Sequence, residues 1–179
     1  MSEKGDTMKI TLGECLKIAK AIEEKIESLL AEREQVAIVR YFKDEEPEYP
    51  ERTVEEISAE IAALAAKSRY LRQVVARANL NTKIDFEVNG EKISLAEGLL
   101  LLMQLLRERT CWKSLADKQQ KTRNTDYYAN VEYVEVTYDL AEAKKTYKNY
   151  EKQIRKLRLA IDRANINTEI EVPDDKIEY

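Results

Sequence analysis

Three segments of the chain carry apolar residues in alternating steps of four and three, the spacing of one face of an α-helix. They run from Cys15 to Val36, from Val54 to Ala78 and from Leu140 to Ala164. A stripe of this kind forms a continuous seam between helices, as in coiled coils and antiparallel bundles. Residues 53–79 alone would form a helix about 40 Å long at 1.5 Å per residue. The pattern therefore predicts long, paired helices.

A further predicted helix differs because apolar residues cover almost its whole surface. It contains the segment from Leu99 to Leu106, in which Gln104 is the single polar residue. A helix that is apolar all round is either central in a fold or covered by another molecule. We therefore predict a homo-oligomer that associates through this helix, the alternative being a central helix covered within a monomer. The interface candidates are Leu99, Leu101, Leu102 and Leu105.

Two pairs of segments recur along the chain. Arg77–Ile84 returns as Arg163–Ile170 at an offset of 86, and Thr11–Leu16 resembles Ser94–Leu99 at an offset of 83. Each member of the second pair has a hydroxyl residue followed three positions later by Glu, the capping box that begins a helix. We therefore predict a duplication. The chain is predicted to begin with a disordered extension over residues 1–7. Two helical hairpins over residues 8–93 and 94–172 share one core, and a tail over residues 173–179 follows.

Short β-segments fit between these helices. Ile84, Phe86 and Val88 alternate with charged residues and precede Asn89-Gly90, the favoured type I′ hairpin turn. Residues 131–138 and 170–172 are further candidate strands. The predicted fold class is mainly α, with duplicated long hairpins forming an antiparallel four-helix, coiled-coil-like bundle. A small β-sheet or hairpin is expected at one end of the bundle.

The composition restricts the chemistry that the chain can perform. The sequence contains no histidine, which excludes Ser-His-Asp and Cys-His catalytic groups and every His-ligated metal site. Its two cysteines, Cys15 and Cys111, are far apart, and we expect both to be small buried core residues. We predict no catalytic residue, no metal site and no cofactor, and we expect a protein that is not an enzyme.

Charge and hydropathy indicate the environment of the protein. The net charge is −4, so a general nucleic-acid partner is not expected. The longest apolar run, Leu99–Met103, is too short to span a bilayer, and residues 1–7 lack the apolar stretch of a signal peptide. We expect a cytoplasmic protein that does not bind or span a membrane.

The last predicted helix is locally basic, whereas the first helix and the segment after it are acidic. We expect these charges to pair within the chain, the alternative being an anionic partner. The basic residues are Lys144, Lys145, Lys148, Lys152, Arg155, Lys156 and Arg158. The acidic residues are Glu23, Glu24, Glu27, Glu32, Glu34, Asp44, Glu45 and Glu46.

The repeated sequence Arg-Ala-Asn-x-Asn-Thr is the best candidate for a binding site. Asn tolerates the left-handed conformation that ends many helices, so one interpretation is that these are helix C-termini. The other is that two related clusters hold a small anionic or polar ligand, because the guanidinium group offers a rigid fork of donors. The candidate ligand-binding residues are Arg77, Asn79, Asn81, Arg163, Asn165 and Asn167.

The order of these motifs resembles the septicolysin-like proteins, a group of small bacterial proteins. The resemblance lies in Met8-Lys9-Ile10, in residues 76–82, in Leu95-Ala96-Glu97-Gly98-Leu99 and in residues 161–169. It departs at Ile166, where the family tends to have Trp, and at residues 131–135, where the family has a basic segment. The resemblance implies a membrane-active protein as a second alternative function.

Overall fold

The computed structural model describes residues 7–125 and 131–177, and within these ranges the fold is mainly helical, as predicted. The four helices are α1 (Leu12–Val36), α2 (Val54–Asn81), α3 (Leu95–Ala116) and α4 (Leu140–Asn167). The strands are β1 (Thr7–Thr11), β2 (Lys83–Val88), β3 (Glu91–Ser94), β4 (Lys121–Thr125), β5 (Val131–Glu135) and β6 (Glu169–Pro173). A 3₁₀ turn at Asp174–Lys176 follows β6.

Helices α1, α2 and α3 begin at hydroxyl residues that cap them, and the Asp139 carboxylate accepts from the Ala141 and Glu142 N–H groups at the start of α4. The Glu14 N–H donates to Thr11 Oγ1 (3.1 Å), and the Glu14 carboxylate accepts from the Thr11 N–H (2.8 Å), which completes a capping box. Thr53 and Glu56 form the same box at the start of α2. Ser94 Oγ accepts from the Glu97 N–H (3.1 Å) at the start of α3. These bonds satisfy amide groups that a helix cannot satisfy internally.

The chain divides into two units that do not coincide with consecutive halves of the sequence. Unit 1 contains residues 1–82 and 165–179, and unit 2 contains residues 83–164. Antiparallel pairing joins β1 to β6, β2 to β3 and β4 to β5. The described structure therefore has three two-stranded sheets. β1 begins at Thr7, in the extension predicted to be disordered, and β6 with the 3₁₀ turn extends into the predicted tail.

The strand pairing shows an exchange between the two repeats. By the offsets of the sequence repeat, β3 matches β1, α3 matches α1, α4 matches α2 and β6 matches β2. Thr11 pairs with Glu169 in unit 1, and the matching residues Ser94 and Lys83 pair in unit 2. Each unit thus takes the two helices of one repeat and closes them with a strand from the end of the other repeat.

Unit 1 has a core between α1 and α2. Alternating buried side chains from both helices form the predicted seam: Cys15, Ala19, Ile22 and Leu29 from α1, with Ile57, Leu64, Leu71 and Val75 from α2. Arg33 and Ser68 interrupt the apolar pattern and make polar links between the helices. Arg33 Nη1 donates to Ser58 Oγ (3.3 Å), and Ser68 Oγ donates to Glu23 Oε1 (3.2 Å).

Unit 2 has its core between α3, α4 and the β2–β3 hairpin. Its buried residues include Leu95 and Leu105 of α3, Ile154, Leu157 and Ile161 of α4, and Ile84 and Ile93 of the hairpin. Gly98 is buried in α3, where a Cβ atom would lie 2.6 Å from Ile84 Cδ1 and 3.5 Å from Leu157 Cδ1. The absence of a side chain at Gly98 lets the strand and helix approach this closely.

The turn between β2 and β3 adopts the predicted conformation. Asn89 and Gly90 both have positive φ, 54° and 83°, as a type I′ turn requires. The antiparallel four-helix, coiled-coil-like bundle stays a prediction, since each unit by itself contributes a two-helix hairpin.

Replacement of Leu71 by Ala tests the core of unit 1. Leu71 is fully buried, so the substitution removes apolar contacts and leaves a cavity. We expect the free energy of unfolding to fall by about 2–5 kcal/mol, measured by urea denaturation. The matched control is Leu80→Ala on the same helix, where the side chain is 66% exposed. An equal loss in both variants would contradict this core.

The capping carboxylates predict a pH dependence of stability. The backbone hydrogen bond from Thr53 lowers the pKa of Glu56, and the bond from Thr11 lowers the pKa of Glu14. The stabilisation is therefore complete above the unfolded-state pKa, about 4.3, and is lost as pH falls through the lower folded-state values. Gln keeps a capping box but cannot titrate.

We expect Glu14→Gln/Glu56→Gln to lose less stability than the wild type between pH 5 and about pH 3. Thermal unfolding across this range measures the difference. Parallel curves for the two proteins would show that the boxes do not contribute to the acid sensitivity.

Candidate functional site

The surface of α3 has an exposed apolar stripe, which we call the α3 face: Leu99, Leu100, Met103 and the half-buried Leu106. Leu100 is 58% exposed and Met103 61% exposed. Their helical positions lie opposite the buried residues Gly98 and Leu105, because 3.6 residues complete each turn. The α3 face is the outer side of a helix whose inner side is fully used by the core of unit 2.

The structure distributes the four predicted interface residues over both sides of α3. Leu99 is exposed, Leu101 and Leu102 are half-buried, and Leu105 is buried in the core. Leu105 is therefore a core residue of unit 2. Leu100 and Met103 are exposed but are not among the four predicted interface residues. Gly98 was the available signal, because a glycine inside a helix often marks a close packing contact and so identifies the buried side.

The six Arg and Asn candidates do not gather into two matching pockets. Arg77 and Arg163 are exposed, Asn79 and Asn165 are half-buried, and Asn81 and Asn167 are exposed. α2 and α4 continue through these sequences to Asn81 and Asn167, so neither Asn79 nor Asn165 ends its helix. The left-handed C-terminus considered for these residues is wrong, since among the described non-glycine residues only Asn89 has a positive φ.

Asn79 lies at the edge of a groove in unit 1, which we call the α1–α2 groove, with a volume of about 380 Å³. Glu23, Arg72 and Lys20 also line it. Arg72 Nε donates to Glu23 Oε1 (2.8 Å), and this bond holds the pKa of the Glu23 carboxyl below its usual range. A carboxylate with a lowered pKa is a poor general base at neutral pH.

Arg163 lies in unit 2 on a larger groove, the β2–α4 groove, with a volume of about 720 Å³. The apolar lining of this groove comes from Phe86 and Val88 of β2, Leu101 of α3 and Leu159 of α4. Lys156 of α4 also lines the groove. Asp85, also on β2, makes an ion pair with Lys92 at 3.2 Å. Within the described part of the chain, Lys156 and Arg163 make no ion pair.

In the part of the chain that the structure describes, the basic residues of α4 do not pair with the acidic residues of α1, as the sequence had predicted they would. Among residues 7–125 and 131–177, the lysines and arginines of α4 form a single ion pair, from Lys145 to Glu142 at 3.3 Å. The acidic residues of α1 take partners in unit 1: Glu23 pairs with Arg72, and Glu32 pairs with Arg52. The cations of α4 are therefore available to an anionic partner.

The two cysteines have different environments. Cys15 is buried in unit 1, where desolvation raises the pKa of its thiol. Cys111 is exposed on α3, so the prediction that both cysteines are core residues is wrong for Cys111. In the regions that the structure describes, no three Cys, Asp or Glu side chains come together as they would around a metal ion. No described helix is long and apolar enough to cross a membrane.

A family model matches residues 19–170, which is most of the chain, and its description is a family of unknown function, DUF6847. This chain belongs to that family. It is also similar to a solved structure, that of a functionally unknown conserved protein from Corynebacterium diphtheriae. The two are 25% identical with a TM-score of 0.69, and the match covers 91% of this chain and 99% of the other. No curated protein matches the chain in sequence.

These matches correct the resemblance to septicolysin-like proteins, which is wrong. Neither DUF6847 nor the corynebacterial structure carries a septicolysin description. Of the segments that suggested the resemblance, Leu95–Leu99 is a helix start after its Ser94 cap, residues 76–82 and 161–169 contain helix ends, and Met8–Ile10 lies in β1. Capping chemistry imposes similar residues on unrelated helices, so these motifs report local structure and not ancestry.

The two thiols provide a simple test of the exposure of α3. We expect a thiol-reactive dye to modify Cys111 rapidly in the native protein, and Cys15 only after unfolding, since burial and a raised pKa suppress its thiolate. Time-resolved labelling with mass spectrometry gives both rates, with Cys111→Ser as the control. Rapid modification of Cys15 without denaturant would contradict the packing of α1.

Proposed function

We propose that this member of the DUF6847 family is a non-enzymatic, cytoplasmic protein that associates with itself through the α3 face and serves as a scaffold or interaction module. The observation that carries the proposal is the exposure of Leu99, Leu100 and Met103 on one side of α3. Contiguous exposed apolar patches on soluble proteins commonly mark interaction sites. α3 has 22 residues and is therefore about 33 Å long, enough for extended contact with a second helix.

A second copy of the chain fits this face because the flanking charges are complementary to themselves. An antiparallel pair of α3 helices centred near Met103 brings Glu97 of one copy to the level of Arg107 of the other. Both residues are exposed. The two-fold axis repeats this contact, so that two opposite-charge pairs flank the apolar stripe. A parallel pair would instead align like charges.

This arrangement offers a source for the predicted four-helix bundle. Each unit 2 supplies a hairpin of α3 and α4, and two hairpins that pack through α3 make four helices. The leucine-rich surface of α3 would then be covered on one side by the core of unit 2 and on the other by the partner. That accounts for a helix with apolar residues all round.

The titratable groups favour a non-enzymatic role. Glu14 and Glu56 have lowered pKa values because they cap helices, and Glu23 because it pairs with Arg72. Each shift has a structural cause and makes the carboxylate a weaker base. The exposed thiol of Cys111 is compatible with the reducing conditions of the cytoplasm.

Capture of a small anionic ligand at both Arg-Ala-Asn-x-Asn-Thr clusters has less support. Of the six candidate residues, Arg163 lines the β2–α4 groove and Asn79 lines the α1–α2 groove, so the surroundings of the two clusters differ. Matching sequences without matching sites favour a structural role for the repeat.

Replacing Met103 by Glu tests the α3 face. We expect the wild type to form a dimer and Met103→Glu to be monomeric, because the interface would bury an unpaired charge. Sedimentation velocity over a range of concentrations measures the change. Leu100→Glu should act in the same way.

Leu80→Glu is the matched control, since Leu80 is equally exposed but lies on α2. Circular dichroism establishes that all variants remain folded. A wild-type monomer at every concentration, or a dimer that survives Met103→Glu and Leu100→Glu, would refute association through α3.

A further inference from the structure

The internal repeat gives a reference for the β2–α4 groove. In unit 1, the 3₁₀ turn Asp174–Lys176 follows β6 and packs against α2. β2 and α4 are the matching elements of unit 2. There the chain instead turns at Asn89 and Gly90 into β3, away from the course that the 3₁₀ turn takes after β6. The segment after β2 is thus a hairpin with the β2–α4 groove beside it, whereas the segment after β6 is a turn with two aspartates that packs on α2.

The chemistry of the β2–α4 groove defines what it can bind. Lys156 and Arg163 form a cationic wall on α4 without ion-pair partners in the described residues. The groove is also lined by two carboxylates of β2, Asp85, which pairs with Lys92, and Glu87, which lies opposite Lys92 in the hairpin. Leu159, between the two cations along α4, is 50% exposed. An occupant therefore needs carboxylates for α4 and an apolar or aromatic side chain for Leu159 and the β2 residues.

The segment from Tyr41 to Glu51, which connects α1 to α2, has this chemistry. It carries five carboxylates and three aromatic side chains in eleven residues. Phe42 is 79% exposed and Tyr49 76% exposed, and Pro47 is the only residue from 41 to 51 that is not exposed. Within the described chain its carboxylates form no ion pair. Tyr41 and Tyr49 line one surface groove, and the Glu45 carboxylate accepts a hydrogen bond from the Phe42 N–H (3.3 Å). Exposed apolar side chains that lie together commonly mark an interaction site.

We propose that the β2–α4 groove binds the segment Tyr41–Glu51 of a second copy of this chain. The carboxylates pair with Lys156 and Arg163, and an aromatic side chain such as Phe42 packs on Leu159 and Phe86. This inference rests on the self-association proposed above but uses a different surface. It is a heterologous contact, because the groove and the segment belong to different parts of the chain.

A labelled peptide with the sequence of residues 41–51 tests the contact directly. Fluorescence anisotropy follows its binding to the full chain carrying Met103→Glu, so that the result does not depend on the α3 face. We expect saturable binding that weakens as salt screens the charges. Arg163→Glu and Lys156→Glu should each weaken it about tenfold or more, because they reverse a contacting charge.

Two matched controls exclude general charge attraction. Arg77→Glu reverses the matching arginine of α2, which lies outside the β2–α4 groove, and should leave the affinity unchanged. A peptide in which Asn and Gln replace the acidic residues should not bind. Absence of saturable binding, equal binding of the amide peptide, or an equal loss in Arg77→Glu and Arg163→Glu would each overturn the proposal.

Inorganic phosphate is the competing anion. If phosphate perturbs the NMR signals of Arg163 while the peptide does not bind, the groove takes a small anion and the proposal is overturned. In the full chain, the proposal predicts assemblies larger than a dimer that Phe42→Ala/Tyr49→Ala reduces to dimers. Failure of the α3 contact alone would instead leave peptide binding intact, so the two proposals fail separately.

Discussion

The antiparallel pairing of β1 with β6 is the long-range constraint on which unit 1 depends, because it joins strands about 160 residues apart. β6 enters unit 1 with a register that places Thr11 opposite Glu169, and the Leu12 N–H donates to the Thr168 carbonyl at 2.9 Å. Gly13 makes room for this approach, since a Cβ there would lie 3.3 Å from the Asn165 carbonyl oxygen. In unit 2, β2 pairs with β3 and places Lys83 opposite Ser94, so each unit is closed by a strand from the end of the other repeat.

The same exchange explains why equal sequences have unequal surroundings. Arg77 and Arg163 occupy matching positions on α2 and α4, but the strands that accompany these helices continue differently. After β6 the chain forms a 3₁₀ turn that packs on α2, whereas after β2 it forms a tight hairpin. The hairpin leaves a groove beside Arg163. The two repeats therefore differ in the segment that follows the closing strand, a 3₁₀ turn in unit 1 and a hairpin in unit 2.

The helices could be predicted from local signals, whereas their tertiary relations could not. Steps of four and three identified the seams of α1 and α2, and hydroxyl-Glu pairs marked the first residues of α1 and α3, whereas the pair Thr53 and Glu56 at the start of α2 was not predicted. β1 was missed, because Met8 and Ile10 alternate over too few residues and their partners lie about 160 positions away. The sequence also did not reveal which side of α3 faces outward. A run of leucines has the same residue on every side of the helix, so the buried side is identified only once Gly98 is seen in the core.

The strand exchange determines which of the two units can be completed first during synthesis. Unit 2 is one continuous stretch, from Lys83 to Ala164, so all its parts are available before β6 has been made. α1 and α2 are synthesised before unit 2, yet β6, the strand that completes their unit, follows unit 2 in the chain. The α1–α2 hairpin therefore stays incomplete, with β1 as an unpaired edge, until the ribosome has also synthesised unit 2 and β6. Nascent chains of this protein are most exposed to misassembly during that interval. A chaperone that binds this protein would bind it in that incomplete state.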